Sequence, residues 1–442
     1  MKIAMFLLMA AGPMAQPDTV RFSLEEAVAR ALEANPALQA QEAKAEARAQ
    51  LPLQASPAFL PSVSLGLQSM KTTDPVAVFG LKLRQENFAA EDLALDALNR
   101  PDAYSGYTAT ATIQMPLLAP EGLFGFQAAR KAAEAEKAGA RRAAGATRFF
   151  TIQAYTGALL TARQVDALDT ALEAVRSHVA QAEAMHEQGL VTGLDARMAR
   201  LKESEIEVHR LAADAQAKNA LSGLKALLDL DDTVEIALSD GLAGITATSA
   251  CADMGDAEAC SWEQRGDLQA YSAGVEAAGH GVKKAWAAQL PALAAFGSLG
   301  HYAQDGPFSN GSGDWTIGIG LSWNPFNGLA GVGSVRAAKA EEAAVKAERN
   351  AAYRQAEVEV LQARRMLEAA RDASDVASRA AEEARVALEQ ARARYTSGTA
   401  PITELLDVQA ASTNATLSEL SARRDLVLAH AALDLAYGVF DR

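Results

Sequence analysis

Residues 394–407 read RYTSGTAPITELLD and interrupt two long helical patterns near the end of the chain. A similar break, HEQGLVTGLD, lies at residues 186–195. Each break has a glycine, Gly189 or Gly398, where the incoming helix ends, and an acid six residues later. Glycine tolerates the left-handed conformation of a helix stop, and acids favour a helix N-terminus. The two breaks therefore predict two helix–turn–helix tips.

The chain is duplicated around these breaks, since matched residues occur in the same order in both halves. Gly189, Asp195 and Leu224 recur 209 residues later as Gly398, Glu404 and Leu433. A constant order of matches at a fixed spacing indicates an internal repeat. We predict a signal peptide at 1–15, a first repeat at 16–230, an inter-repeat segment at 231–262 and a second repeat at 263–442.

Each predicted repeat contains a helix, a β-hairpin, a long helix and a return helix. The first opens with Ser23 and Glu26, which form a capping box, and its helical pattern continues to about residue 58. The predicted hairpins span 62–115 and 292–323, the long helices 126–187 and 332–396, and the return helices 194–230 and 402–438. A helix of about 60 residues is about 90 Å long.

The helices carry a seven-residue pattern with a row of alanines, which is typical of closely packed coiled coils. Such helices alone would favour a periplasmic coiled-coil adaptor or scaffold without its own pore. The strands favour a different class of protein. Their apolar and polar residues alternate over about ten positions, as in outer-membrane barrels, whose strands face lipid and lumen in turn. Four strands in lipid leave unpaired edges, so closure requires several copies of the chain.

The formal net charge of −14 and the lack of a dense basic cluster in the sequence argue against a nucleic-acid partner. The first residues have one lysine and a short apolar run, which is typical of a secretory signal. Cys251 and Cys260 are the two cysteines, and in an oxidising compartment they predict a small disulfide loop. A metal site there is the weaker alternative. We find no catalytic or cofactor-binding motif, so we predict no enzyme and no cofactor.

Several short motifs resemble the TolC-type outer membrane factor family over nearly the whole mature length. They are FSLEEA at 22–27, NPAL at 35–38, LPSV at 60–63, QGLV at 188–191 and YTSGT at 395–399. The resemblance implies a mainly α protomer with membrane β-strands: a duplicated long-helix α-barrel contributing four strands to a trimeric twelve-stranded β-barrel. It implies a homotrimer in outer-membrane lipid with a large periplasmic portion. It also implies drug, metal or protein export with a periplasmic adaptor (membrane fusion protein) and an inner-membrane RND or ABC transporter.

The resemblance also assigns roles at the tips. Glu404 and Asp407 match the acidic ring that narrows the periplasmic entrance, and Tyr395 and Asp195 match a pair that links neighbouring tips in the shut state. For Glu404 the alternative is a plain helix-capping role with Pro401 at the first helical position, and for Tyr395 a plain seam role. The chain departs from the family at Ala400 and Leu194, which stand where an arginine and its hydroxyl partner help to hold the gate.

Overall fold

The computed structural model describes residues 20–242, 244–245, 249, 251–252 and 260–441. The predicted signal peptide, residues 1–15, lies outside the described residues, as does part of the inter-repeat segment. The chain forms two compact units. The helical unit comprises Met1–Lys44, Ala138–Gln269 and Ala351–Arg442, and the sheet unit comprises Ala45–Lys137 and Ala270–Asn350.

The described helices and strands follow the chain in this order. They are β1 (Val20–Phe22), α1 (Leu24–Ala34), α2 (Pro36–Ala49), α3 (Leu51–Gln54), β2 (Ser62–Thr72), α4 (Pro75–Arg84), α5 (Leu95–Asn99), β3 (Tyr104–Leu118), α6 (Pro120–Glu187), α7 (Gly193–Leu227), β4 (Ile236–Leu238), α8 (Gly266–Ala287), β5 (Ala292–Ala303), β6 (Ser312–Ser322), α9 (Ala330–Thr396) and α10 (Ile402–Tyr437).

The two repeats contain matching elements of nearly equal length. The long helices α6 and α9 have 68 and 67 residues, and the return helices α7 and α10 have 35 and 36. Helix α6 begins at Pro120, six residues before the predicted start, because proline suits the first helical position. The predicted fold class, with duplicated long helices and four long strands, is confirmed. No helix among the described residues is long and apolar enough to cross a membrane.

The sheet unit contains one antiparallel sheet in the order β2-β3-β5-β6. Neighbouring strands pair over eleven positions between β2 and β3 and again between β5 and β6. Within the described chain, β2 and β6 each pair on one side only. The sheet therefore has two long edges with unpaired backbone groups.

One face of the sheet is apolar across all four strands. Residues directly opposite each other share a face. One such row consists of Leu65, Ala111, Leu299 and Trp315. The adjacent row on the other face consists of Ser64, Thr112, Ser298 and Thr316. Leu65 and Trp315 are 82% and 72% exposed, so the protomer leaves its apolar face uncovered.

The first helical pattern is divided into α1, α2 and α3, which corrects the prediction of one helix continuing to about residue 58. Asn35 adopts an extended conformation, as the residue before a proline prefers. Its Oδ1 accepts hydrogen bonds from the N–H groups of Ala37 (3.0 Å) and Leu38 (3.1 Å), and its Nδ2 donates to the Leu227 carbonyl (3.1 Å). Asn35 therefore caps α2 and ties the break to the end of α7. The predicted capping box at Ser23 and Glu26 is present.

The connection between β2 and β3 is folded. Asp74 caps α4 by accepting a hydrogen bond from the Ala77 N–H at 2.7 Å, and Pro75 occupies the first helical position. Gln85 is buried at the end of α4, where Tyr104 donates to its Oε1 (2.7 Å). These contacts hold α4 against the start of β3.

Candidate functional site

The two helical tips have the same backbone conformation. Gly189 and Gly398 have φ values of 72° and 74°, in the left-handed region that favours glycine. The next residue after each glycine donates its N–H to the carbonyl five residues back, at 2.9 Å in both tips. These bonds form the Schellman motif that ends many helices. The predicted turn residues therefore occupy equivalent positions in the two repeats.

In the first tip, Asp195 is bound within its own helix start. The N–H and the hydroxyl of Thr192 both donate to Asp195 Oδ2, at 2.9 and 2.8 Å. This is one half of a capping box, in which an acid three residues into the helix returns to the N-cap residue. The second carboxylate oxygen of Asp195 is not used by this cap.

In the second tip, Glu404 has a different partner. Pro401 is the N-cap and Ile402 the first helical residue. The sequence had predicted Pro401 as the first helical residue, so the helix begins one position later. Proline has no N–H and cannot complete a capping box. Glu404 instead pairs with the guanidinium of Arg394 in the incoming helix. Asp407, one turn further along α10, is exposed and makes no hydrogen bond or ion pair within the described chain.

Tyr395 lies next to this turn and is 2% exposed. Its hydroxyl has no hydrogen-bond partner among the described residues. Burial raises the pKa of the Tyr395 hydroxyl, and the negative charge of Asp195 adds to the rise. Within one chain the two residues therefore interact through charge but form no hydrogen bond.

Two pairs of helices, α6 with α7 and α9 with α10, pack against each other behind the tips. Their shared apolar cluster includes Leu172, Val175, Val179, Ala196, Tyr395, Ile402 and Leu405. Burial of apolar surface is the main stabilising contribution to such a cluster. It fixes the positions from which Glu404 and Asp407 project.

A polar layer within this cluster was not predicted from the sequence. His178 of α6 is 6% exposed, and its Nε2 has no partner among the described residues. Burial lowers the pKa of His178, and the nearby Arg392 guanidinium lowers it further. Arg392 donates to the buried Gln409 Oε1 at 3.2 Å. These side chains come from three helices, so no local pattern could have identified them.

The two cysteines form a disulfide with their Cα atoms 5.5 Å apart. Cys251 is buried against α9 and α10, and its N–H donates to the Ser249 hydroxyl at 3.1 Å. Ser249 in turn donates to Asp434 Oδ1 at 2.5 Å, and burial raises the pKa of that carboxyl. The disulfide therefore belongs to a segment anchored on α10. No group of three or more His, Cys, Asp or Glu in the described ranges could hold a metal ion.

Residues 261–439 match the family model described as outer membrane efflux protein. This range lies in the second half of the chain, and over the rest of the chain the likeness to known proteins is one of fold. A search of curated proteins finds no match.

Solved structures of similar fold cover nearly the whole chain. The outer-membrane channel OprN matches with 19% identity and a TM-score of 0.78, over 95% of this chain and 91% of that one. VceC from Vibrio cholerae matches with 19% identity and a TM-score of 0.77, over 94% and 96%. CmeC from Campylobacter jejuni matches with 17% identity and a TM-score of 0.77, over 94% and 85%.

Proposed function

We propose that this chain is the outer-membrane exit duct of a tripartite efflux or type I secretion system. It would pass substrates from an inner-membrane pump and a periplasmic adaptor to the exterior. The observation that carries the proposal is the four-stranded sheet, with one continuous exposed apolar face and two unpaired edges. In lipid such edges must be paired, because no water is present to satisfy the backbone groups.

Closure of the sheet requires several copies of the chain, and we propose a homotrimer. When β6 of one copy pairs with β2 of the next, three copies give a barrel of twelve strands, within the known range for outer-membrane barrels. The rows of Leu65 and Trp315 then face lipid, and the rows of Ser64 and Thr316 face the lumen. A coiled-coil adaptor without a pore has no use for such a face, and the family match gives that alternative no support.

The tips supply the periplasmic gate of this channel. Around a three-fold axis, Glu404 and Asp407 form an acidic constriction that favours cations. Tyr395 of one copy binds Asp195 of the next in the shut state, through the carboxylate oxygen that Thr192 leaves unused. The energy for export comes from an RND or ABC transporter, and a membrane fusion protein connects that transporter to the tips.

Reconstitution tests the proposed function directly. The protein purified in detergent is expected to run as a heat-modifiable trimer and to conduct ions in planar lipid bilayers. Loss of the gene is expected to increase the sensitivity of the cell to the exported compounds, and a neighbouring RND or ABC gene would identify the pump. A monomer that inserts no channels would refute the exit-duct proposal.

A further inference from the structure

The two tips carry an acid at the same repeat position, but the acid has a different partner in each tip. Asp195 accepts two hydrogen bonds from Thr192. Glu404 cannot receive an N–H from Pro401, and it pairs with the positive charge of Arg394 instead. The position equivalent to Arg394 in the first repeat is Met185, so the first tip has no matching cation.

The backbone of Arg394 is held in place by the turn itself. Its carbonyl accepts hydrogen bonds from the Thr399 N–H (2.9 Å), the Thr399 hydroxyl (3.0 Å) and the Ser397 hydroxyl (3.0 Å). These bonds fix the backbone of Arg394, from which the guanidinium extends, on one side of the turn. Glu404 lies in the first turn of α10, on the other side of the turn. The side chains of Arg394 and Glu404 are 55% and 34% exposed, respectively.

The pair changes the charge that a permeating ion meets at the mouth. Glu404 and Asp407 alone give two negative charges per chain, but Arg394 reduces the net charge to one. Asp407 has no such partner within the described chain and stays a free carboxylate. Fixed charges at a constriction set the balance of cations and anions that enter it.

We propose that Arg394 determines the ion selectivity of the periplasmic mouth, by pairing with Glu404 and leaving Asp407 as the carboxylate that ions encounter. This inference rests on the proposed channel function. In the trimer, the periplasmic mouth would then carry three net negative charges, whereas the two acids alone would give six. The Arg394–Glu404 pair also joins the end of α9 to the start of α10, across a turn that lacks a capping box.

The test is the ratio of K⁺ to Cl⁻ permeability, from reversal potentials of single channels in planar bilayers under a KCl gradient. Arg394→Gln is expected to raise this ratio roughly twofold or more, because the negative charge per chain doubles. Glu404→Gln is expected to lower it, since only Arg394 and Asp407 remain charged. The double variant is expected to restore the ratio of the unaltered channel, because the net charge per chain is again one.

Arg385→Gln is the matched control. Arg385 lies on the same helix, is 56% exposed and pairs with Glu382 and Glu389 away from the turn. It is expected to leave the permeability ratio unchanged. The inference is overturned if channels with Arg394→Gln and Arg385→Gln have the same ratio, or if Glu404→Gln has no effect. Absence of conductance in the unaltered protein would instead refute the channel function itself.

Discussion

Tyr395 buries a hydroxyl group within the apolar cluster behind the tips. Its ring packs in the apolar cluster, while its hydroxyl has no hydrogen-bond partner in the described chain. A buried hydroxyl without a partner costs about 1–3 kcal/mol. A neighbouring copy that offers the second oxygen of Asp195 would remove this cost. The gate proposal thus gives a role to a group that one chain alone leaves unpaired.

Tyr395→Phe is therefore expected to raise the resting conductance of the channel, because it removes the proposed bond to Asp195 of the next copy that holds the tips shut. The ring keeps its packing, and the variant loses a hydroxyl that contributes no bond within the chain. Tyr353→Phe is the control, because Tyr353 lies on the same helix and packs edge-on against Trp262. Equal conductance of the two variants would exclude Tyr395 from the gate.

His178 makes the tip sensitive to pH. Burial and Arg392 lower its folded pKa below the ordinary value of 6.5, so the unfolded chain binds a proton first as the pH falls. The free energy of unfolding therefore decreases from about pH 6.5 down to the lower folded pKa. We expect the melting temperature to fall less over this range in His178→Gln than in the unaltered protein. His186→Gln, which alters an exposed tip histidine, should retain the full pH dependence.

At the scale of elements, one arginine joins three helices of the helical unit. Arg265 precedes α8 and is 3% exposed. It pairs with Asp267 (2.7 Å) and with Glu359 of α9 (2.8 Å), and it donates to the Ala436 carbonyl of α10 at 3.4 Å. Burial alone would raise the pKa of Asp267, but the hydrogen bonds and charge of Arg265 lower it overall. Arg142 adds a longer contact to Asp267, at 3.8 Å.

Arg265→Met is expected to destabilise the helical unit by about 1–3 kcal/mol, because it removes the cation that Asp267 and Glu359 share and leaves Asp267 only the longer contact to Arg142. The value is below that for a fully buried pair, since Asp267 and Glu359 are 31% and 35% exposed. Denaturant unfolding in detergent measures the change. Arg385→Met also removes an arginine that pairs with two acids, but at an exposed site, and should have little effect.

The sequence predicted the elements best where a pattern is local. Alternation along β6 and the glycine stops at the tips depend on neighbouring residues, and both predictions agree with the structure. β5 alternates poorly because Phe296 lies on the polar face, where Gly318 of β6 makes room for its ring. The Asn35 break and the Arg394–Glu404 pair depend on residues brought together by folding. The sequence could suggest such residues but could not pair them.

At the scale of the whole molecule, the sheet unit is incomplete in a single copy. The row that we propose faces lipid can be tested with two neighbouring residues of β2. Leu65→Arg is expected to cost roughly 2–4 kcal/mol per copy in the bilayer and to lower the yield of heat-modifiable trimer. Ser64→Arg places the same side chain on the lumen face and should preserve the trimer. Equal yields would contradict the assignment of the two faces.

The two unpaired edges, β2 and β6, also have a genetic consequence. In the proposed trimer, contacts between copies are head-to-tail, so the ring closes only when the β6 edge of each copy pairs with the β2 edge of the next. A chain whose β2 edge is damaged can still recruit normal copies through β6. If half of the chains in a cell carry this defect, about one trimer in eight contains normal chains alone. Such an allele would be dominant-negative, whereas an allele that produces no chain would be recessive.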